Sequence, residues 1–283
     1  VLPPSINESF SDFTVVKTKG ADVHSTGVDR DKIRFGLTTI KNFGAEISRI
    51  IIDERKKNGK FTSLSNFLER IIDRNLNKRS LEALVKAGAM DEFGDRGVLL
   101  ANIENMLKYN KEVSKKNQNQ DSLFGLFNGN ESGEAFTLAP AEEATMKEKL
   151  TWEKELLGLY ISGHPLDRYK AILDRQQISI KKIKDIPTTE SAEAESIKSQ
   201  IDAGKPIGGI IEEMREIMTK KNEPMAFVKI ADFTGSIEAV IFPKTYTQYK
   251  NVIGVDKCIA AICKVSERNG EMSLIVERLK VLE

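Results

Sequence analysis

Along the 283 residues the spacing of apolar positions changes character once, near Gln200. Before that point apolar residues recur at three- and four-residue intervals, the signature of helices with one buried stripe. Ile47, Ile50, Ile51 and Ile52 predict an amphipathic helix from Ala45 to Lys57 that stops near Gly59. Ser63 caps a short helix to Arg70 through Leu64, Phe67 and Leu68. Asn77 caps another from Lys78 to Ala87, where Leu81, Leu84 and Val85 face a core before Gly88 stops it. Val98, Leu99, Ile103, Met106 and Leu107 predict one helix from Gly97 to about Lys111, and Met146, Leu150, Glu153, Leu156 and Leu157 mark another from about Ala141 to Leu159. The first 29 residues carry Pro3-Pro4, scattered Ser, Thr and Gly and a short β-like Phe13-Thr14-Val15-Val16, which reads as an extended lead-in.

Beyond Gln200 the period becomes two. Pro206 to Met218, Met225 to Asp232, Ser236 to Phe242, Lys257 to Val265 and Met272 to Val281 are five expected strands, with turns at Asn222 to Pro224, Thr234-Gly235 and Asn269-Gly270. A helical interruption over about Lys244 to Asn251 falls between the third and fourth. Five strands with a helix at that place describe an OB-type barrel. The expected fold class is therefore multidomain α+β: an extended segment over 1–29, a helical region over 30–116, a flexible polar linker over 117–140, a helical connector over 141–200 and a β-barrel over 201–283.

Lys plus Arg (43) nearly balances Asp plus Glu (42), so any surface for a polyanion must come from local segregation of charge. No apolar run approaches a membrane span, and Val1-Leu2-Pro3-Pro4 has neither an initiator Met nor a signal pattern. A cytoplasmic chain that is a fragment of a longer one is expected, with no membrane partner. Cys258 and Cys263 have opposite parity on one expected strand, which argues against a mutual disulfide or a shared metal and suits a reducing compartment. His24 and His164 lie far apart with no Cys or His near either, so no zinc site is expected. His164 reads as structural. Asp31, Asp53, Asp91, Asp95, Asp121, Asp167 and Asp232 occupy helix starts, exposed faces or turns, where Asp is expected for capping reasons. With no phosphate-binding Gly-Lys-Ser/Thr loop and no nucleophile elbow, no catalytic residue, metal or cofactor is assigned to this chain.

Binding residues are easier to nominate. Ile40-Lys41-Asn42-Phe43-Gly44-Ala45 has the form of an apolar anchor, a tight turn and a helix start, which exposes backbone amides to a phosphate with Lys41 beside them. It resembles the helix-hairpin-helix motif, with Asn42 standing at the first Gly position, where Asn tolerates a left-handed backbone. A plain αα-turn is the alternative. A weaker second hairpin at Lys86 to Ala89, after Asn77-Lys78-Arg79, adds Lys78, Arg79 and Gly88 to the duplex-binding set, although a helix C-cap explains Gly88 equally well. In the barrel, Lys220, Lys221, Lys229 and Arg268 border a possible groove, with Phe227 as a stacking surface for a single strand. Lys229 shares its parity, which favours an outward Phe227. The alternative is a solvated basic face with Phe227 under a loop. The linker carries Gln120-Asp121-Ser122-Leu123-Phe124 followed by Leu126 and Phe127, apolar anchors in a run too polar to form its own core. The pattern resembles the peptide that bacterial proteins insert into the replisome's sliding clamp; the bland reading is a segment folded back onto a neighbouring helix.

The ordered set of features resembles the C-terminal part of the alpha subunit of bacterial DNA polymerase III. Leu2 to Ser9, Ile33 to Leu37 with Ile40-Lys41, Asn77-Lys78-Arg79 through Ala89, Leu157 to Tyr160 with Ser162 to Leu166, and Met225 to Phe227 through Asp232 to Glu238 carry the likeness. The resemblance implies that the hairpins grip duplex DNA, the barrel meets single-stranded template, and the linker motif tethers to the clamp among other replisome subunits in a bacterial, nucleoid-associated setting. It also implies that the nucleotidyltransferase palm, with its Mg2+ and aspartates, lies upstream of Val1. Alternatives of another class are a stand-alone DNA-binding or repair adaptor and a protein-interaction scaffold with an OB barrel.

Overall fold

The computed structural model describes residues 1–17, 31–120, 136–176, 178–186, 192–268 and 271–282, and the chain divides into two units, Val1–His164 and Pro165–Glu283. In the first, a two-stranded antiparallel ribbon of β1 (Thr14–Val16) and β2 (Lys32–Arg34) precedes α1 (Ala45–Asn58), α2 (Leu64–Arg70), α3 (Lys78–Lys86), α4 (Arg96–Ala101), α5 (Ile103–Gln120) and α6 (Met146–Leu157). The expected caps form: Ser63 accepts from the Asn66 amide, and Asn77 and Ser80 make a reciprocal capping box at the start of α3. Ile47, Ile51, Phe67, Leu68, Leu81, Leu84 and Met106 meet in one core.

Three expectations about this half are corrected. The lead-in is part of the helical core. Ile6 is fully buried, the Asn7 side chain donates to Phe61 O at 2.8 Å and accepts from Phe61 N at 2.7 Å, and Arg55 donates to Ile6 O and Ser9 O at 2.8 Å each. The single helix expected from Gly97 is two, because buried Asn102 turns its amide to Val98 O and to both backbone groups of Ala139 instead of continuing α4. Finally, the segment over 117–140 does not join the two units. Its return is docked on the first: Phe136 packs on Tyr109 with ring centroids 5.4 Å apart, Leu138 lies on the helical core, and Asn102 holds Ala139. The helical connector over 141–200 is likewise divided, α6 belonging to the first unit and the following helices to the second.

The second unit begins with α7 (Lys170–Gln176), α8 (Ile180–Lys184) and α9 (Ala192–Asp202) and continues into β3 (Ile207–Met218), β4 (Pro224–Ala231), β5 (Ser236–Ile241), α10 (Pro243–Tyr249), β6 (Cys258–Arg268) and β7 (Glu271–Val281). The strands close into a barrel in the order β3-β4-β5-β7-β6, with β5 and β7 parallel and the other pairs antiparallel. Alternation decides what lies inside. Ala226, Val228 and Ile230 of β4, Ile237, Ala239 and Ile241 of β5, and Leu274 and Val276 of β7 are buried, while the residues that alternate with them mid-strand, Phe227 and Lys229 of β4 and Glu238 and Val240 of β5, are more exposed. Tyr246 of α10 plugs the barrel and donates its hydroxyl to Glu216 at 2.5 Å. Among the described residues no helix is long and apolar enough to cross a membrane.

Candidate nucleic-acid interface

In the first unit the hairpin is held by its apolar members. Ile40, Phe43 and Ile47 are buried while Lys41, Asn42 and Gly44 are exposed, and the Lys41 amide donates to Leu156 O at the end of α6. The turn depends on Asn42, whose φ of 64° is left-handed. Gly44 then caps α1 with φ −75° and ψ 143° and no side-chain hydrogen bond. That φ is open to any residue, and an added Cβ would meet only Ile47 Cγ2 at 3.9 Å. The fold itself therefore does not require glycine there. Arg79, in the first turn of α3, donates from Nη2 to Asn42 Oδ1 at 2.5 Å, which brings the starts of α1 and α3 to one surface. Lys78 stands beside it, paired with Glu104 at 3.1 Å where both side chains are exposed. Lys41, Asn42, Gly44, Lys78 and Arg79 are thus gathered, with Phe43 beneath them as core.

Gly88 is not with them. It ends α3 at φ 81°, nine residues and about 13 Å along that helix, and the space a side chain would need is filled by the guanidinium of Arg96. Of the two readings open in the sequence, this is the helix stop.

On the barrel, Phe227 points outward as its parity predicts and is half-buried, with the Arg215 guanidinium 5.5 Å from its ring centroid. Arg215 sits directly opposite Phe227 in the β3–β4 register, and Val240 and Ile275 extend the row across β5 and β7. One register step along, the surface changes sign. Lys229 lies 3.0 Å from Glu213 and 3.8 Å from Glu212, with Glu238 opposite it on β5, and hydrogen bonding to Glu213 raises its pKa. Lys229 is therefore neutralised locally. Lys220 and Lys221 stand exposed in the β3–β4 turn and make no ion pair among the described residues. Arg268 ends β6 opposite Glu271.

Residues 1–99 match the helix-hairpin-helix motif family and residues 207–282 the OB-fold nucleic acid binding domain family. Over its whole length the chain is similar to DNA polymerase III subunit alpha of Borreliella burgdorferi, at 33% identity over 287 residues, and of Thermus aquaticus, at 34% over 286. That of Aquifex aeolicus is 35% identical over 92% of this chain. The chain belongs to the DNA polymerase III alpha subunit family. It spans about a fifth of the length of these curated relatives, 23%, 21% and 19% respectively. Among solved structures, the mitochondrial single-stranded DNA binding protein Rim1 of S. cerevisiae matches 28% of this chain and 91% of its own length. Its 15% identity and TM-score of 0.24 carry no argument.

Of the clamp-type motif, Gln120 is the last residue of α5, and Asp121, Ser122, Leu123 and Phe124 lie outside the described residues, as does His24. What the sequence hid is the post that steadies the hairpin region. Arg96 is 2% exposed and Glu153 fully buried; they pair at 2.9 Å, while Asp91 receives Arg96 Nε and Nη2 at 2.9 and 2.8 Å. Glu153 also accepts from the amides of Ile161 and Ser162 and from the Ser162 hydroxyl. Burial alone would raise the Glu153 carboxyl, but Ser162, Ile161 and Arg96 outweigh it and hold its pKa down. These partners are too far apart in sequence to pair by pattern. Arg215 follows from the position of the turn: with the β3–β4 hairpin centred on Lys221, six residues to either side set it opposite Phe227.

Proposed function

We propose that this chain is the DNA-holding portion of a bacterial replicative polymerase: the hairpin grips the backbone of duplex DNA, the barrel takes single-stranded template, and the segment that follows α5 in sequence docks on the sliding clamp. Nucleotidyl transfer, with its Mg2+, is assigned to the rest of the parent chain, and no residue of this segment is given a catalytic role. The family relation supports the assignment, and the observation that carries it is local. Lys41, Arg79 and Lys78 converge on a helix start whose cap is a glycine that the fold does not need. An uncapped first turn offers amides to an anion, and the absence of a side chain lets a phosphate approach them. Such contacts ignore base identity and weaken with salt, which suits an enzyme that must travel along its template. On the barrel, Phe227 with Arg215 offers a base a stacking surface, while Lys220 and Lys221 flank the path of the backbone.

The clamp contact works by tethering. A motif that holds a second body nearby raises the local concentration of polymerase at the primer end without any new contact to DNA. Both ends of the motif's segment belong to the DNA-gripping unit, α5 before it and the docked Phe136 to Ala139 after it, which supports a clamp held next to the duplex.

Gly44→Ser separates folding from binding. Serine is the better helix cap, so the helical unit should gain a few tenths to about 1 kcal/mol of stability, while duplex affinity falls because the hydroxyl now occupies the amides meant for phosphate. Denaturant melts and anisotropy titrations with a labelled duplex measure the two effects. A variant that binds duplex as well as wild type would remove the phosphate role of this turn.

A further inference from the structure

The β4–β5 turn is unusually well fixed for a turn that displays an aromatic ring. Asp232 Oδ1 accepts from the amides of Thr234 and Gly235 and from the Thr234 hydroxyl, and Asp232 Oδ2 accepts from the amide of Ile180. The Lys181 amide in turn donates to Thr234 Oγ1. Both carboxylate oxygens of Asp232 are thereby engaged in locking α8 against the turn, and Phe233 is left at its tip with 40% of its surface exposed. Three lysines stand near it. The Lys170 ammonium stands 4.9 Å from the Phe233 ring centroid. Lys181 follows directly from the locked turn, and Lys184, exposed one helical turn on, shares its face. The acidic neighbours are Asp174, which pairs with Lys170 at 3.2 Å, and the exposed Asp167 and Asp185.

This contrasts with the outer strand face, where Lys229 is surrounded by Glu212, Glu213 and Glu238. A cation cluster with a rigidly presented aromatic ring is the combination that holds a single strand without reading it: phosphates on the lysines, a base against the ring. We propose that the pole formed by Phe233, Lys170, Lys181 and Lys184 is a second contact for single-stranded nucleic acid, engaged by the strand after it leaves the Arg215–Phe227 face. The two aromatic residues are six positions apart, about 20 Å along an extended strand, so only an oligonucleotide longer than one face can reach both. The inference rests on the reading that the barrel binds single strands.

The test uses the whole 283-residue chain and two labelled oligothymidylates, one of about 8 nucleotides and one of about 20, bracketing the site size of a single OB face. Phe233→Ala, and separately Lys181→Gln with Lys184→Gln, should lower affinity for the long strand about tenfold and leave the short strand unaffected; Phe227→Ala should weaken both. Circular dichroism checks that these exposed substitutions leave the fold intact. Long-strand binding unchanged in both pole variants overturns the pole and leaves the face standing. A chain sensitive to Phe233→Ala but indifferent to Phe227→Ala overturns the face instead. Absence of binding to either strand overturns both.

Discussion

Glu153→Ala should unfold the helical unit more readily than any other single substitution of a polar residue. Removing one member of a buried ion pair leaves the other desolvated and uncompensated, at a cost of about 3–5 kcal/mol. Here the orphan would be Arg96, 2% exposed, with only Asp91 left as a charged partner, and the amides of Ile161 and Ser162 would lose their acceptor as well. The chain's one tryptophan, Trp152, lies on α6 next to Glu153, so its fluorescence follows this unit without interference from the barrel. A urea titration read at Trp152 is expected to shift its midpoint strongly downward, while the far-UV signal of the barrel strands stays put. Replacing Arg96 as well, with methionine, should restore part of the loss, because the pair is costly to break and cheap to remove whole. Equal midpoints for wild type and Glu153→Ala would show that the cluster does not hold this unit together.

Glu153 and a neighbouring carboxyl, Asp95, paired with Lys149 at 2.6 Å, set an acid limit. Burial would raise the Asp95 carboxyl, but Lys149 and the amides of Ala144 and Gly97 outweigh it and bring its pKa from 3.8 down to about 2. Glu153 is depressed too. Carboxyls lowered on folding stabilise fully above their ordinary pKa, and that stability drains away as pH falls through the folded values. The Trp152 transition should therefore be flat above about pH 5 and fall steadily toward pH 2. Asp95→Asn would be less stable at neutral pH but less sensitive to acid.

The second large effect concerns the clamp. Leu123→Ala with Phe124→Ala should reduce affinity for the cognate sliding clamp by at least about 2 kcal/mol, roughly 30-fold, because aromatic and aliphatic anchors carry most of the energy of a short docked peptide. Gln120→Ala should weaken it by less. Surface plasmon resonance on immobilised clamp measures this for the whole chain, and DNA binding should be unchanged in the same variants. Undiminished clamp affinity would remove the clamp-docking role proposed for this motif.

What could be read from the chain, and what could not, follows the range of the interactions involved. The five strands and α10 were legible because alternation at period two is written into consecutive residues, from Ala226 to Ile230 and from Ile237 to Ile241. The hairpin was legible for a similar reason: a buried Phe43 between exposed Asn42 and Gly44 is a local pattern, and the left-handed φ of Asn42 is a local tolerance. The break at Asn102 was not, since it is caused by Ala139, brought back over a long excursion of chain. The lead-in reads as merely extended because the polarity of Asn7 and Ser9 is visible and their burial is not; only the folded structure supplies Phe61, Phe35 and Arg55 as partners. The surroundings of Lys229 were hidden on the same ground. Its charge could be read from the sequence, but the carboxylates that cancel it stand on neighbouring strands.

The central claim is that the hairpin holds duplex DNA by its phosphates, and the dependence of binding on salt tests it most directly. For the whole chain, the logarithm of affinity should fall linearly with the logarithm of salt concentration, with the same slope on two duplexes of unrelated sequence. Lys41→Gln and Arg79→Gln should each make that slope shallower by about 1. A slope that neither substitution changes, or one that differs between the two duplexes, would contradict the account.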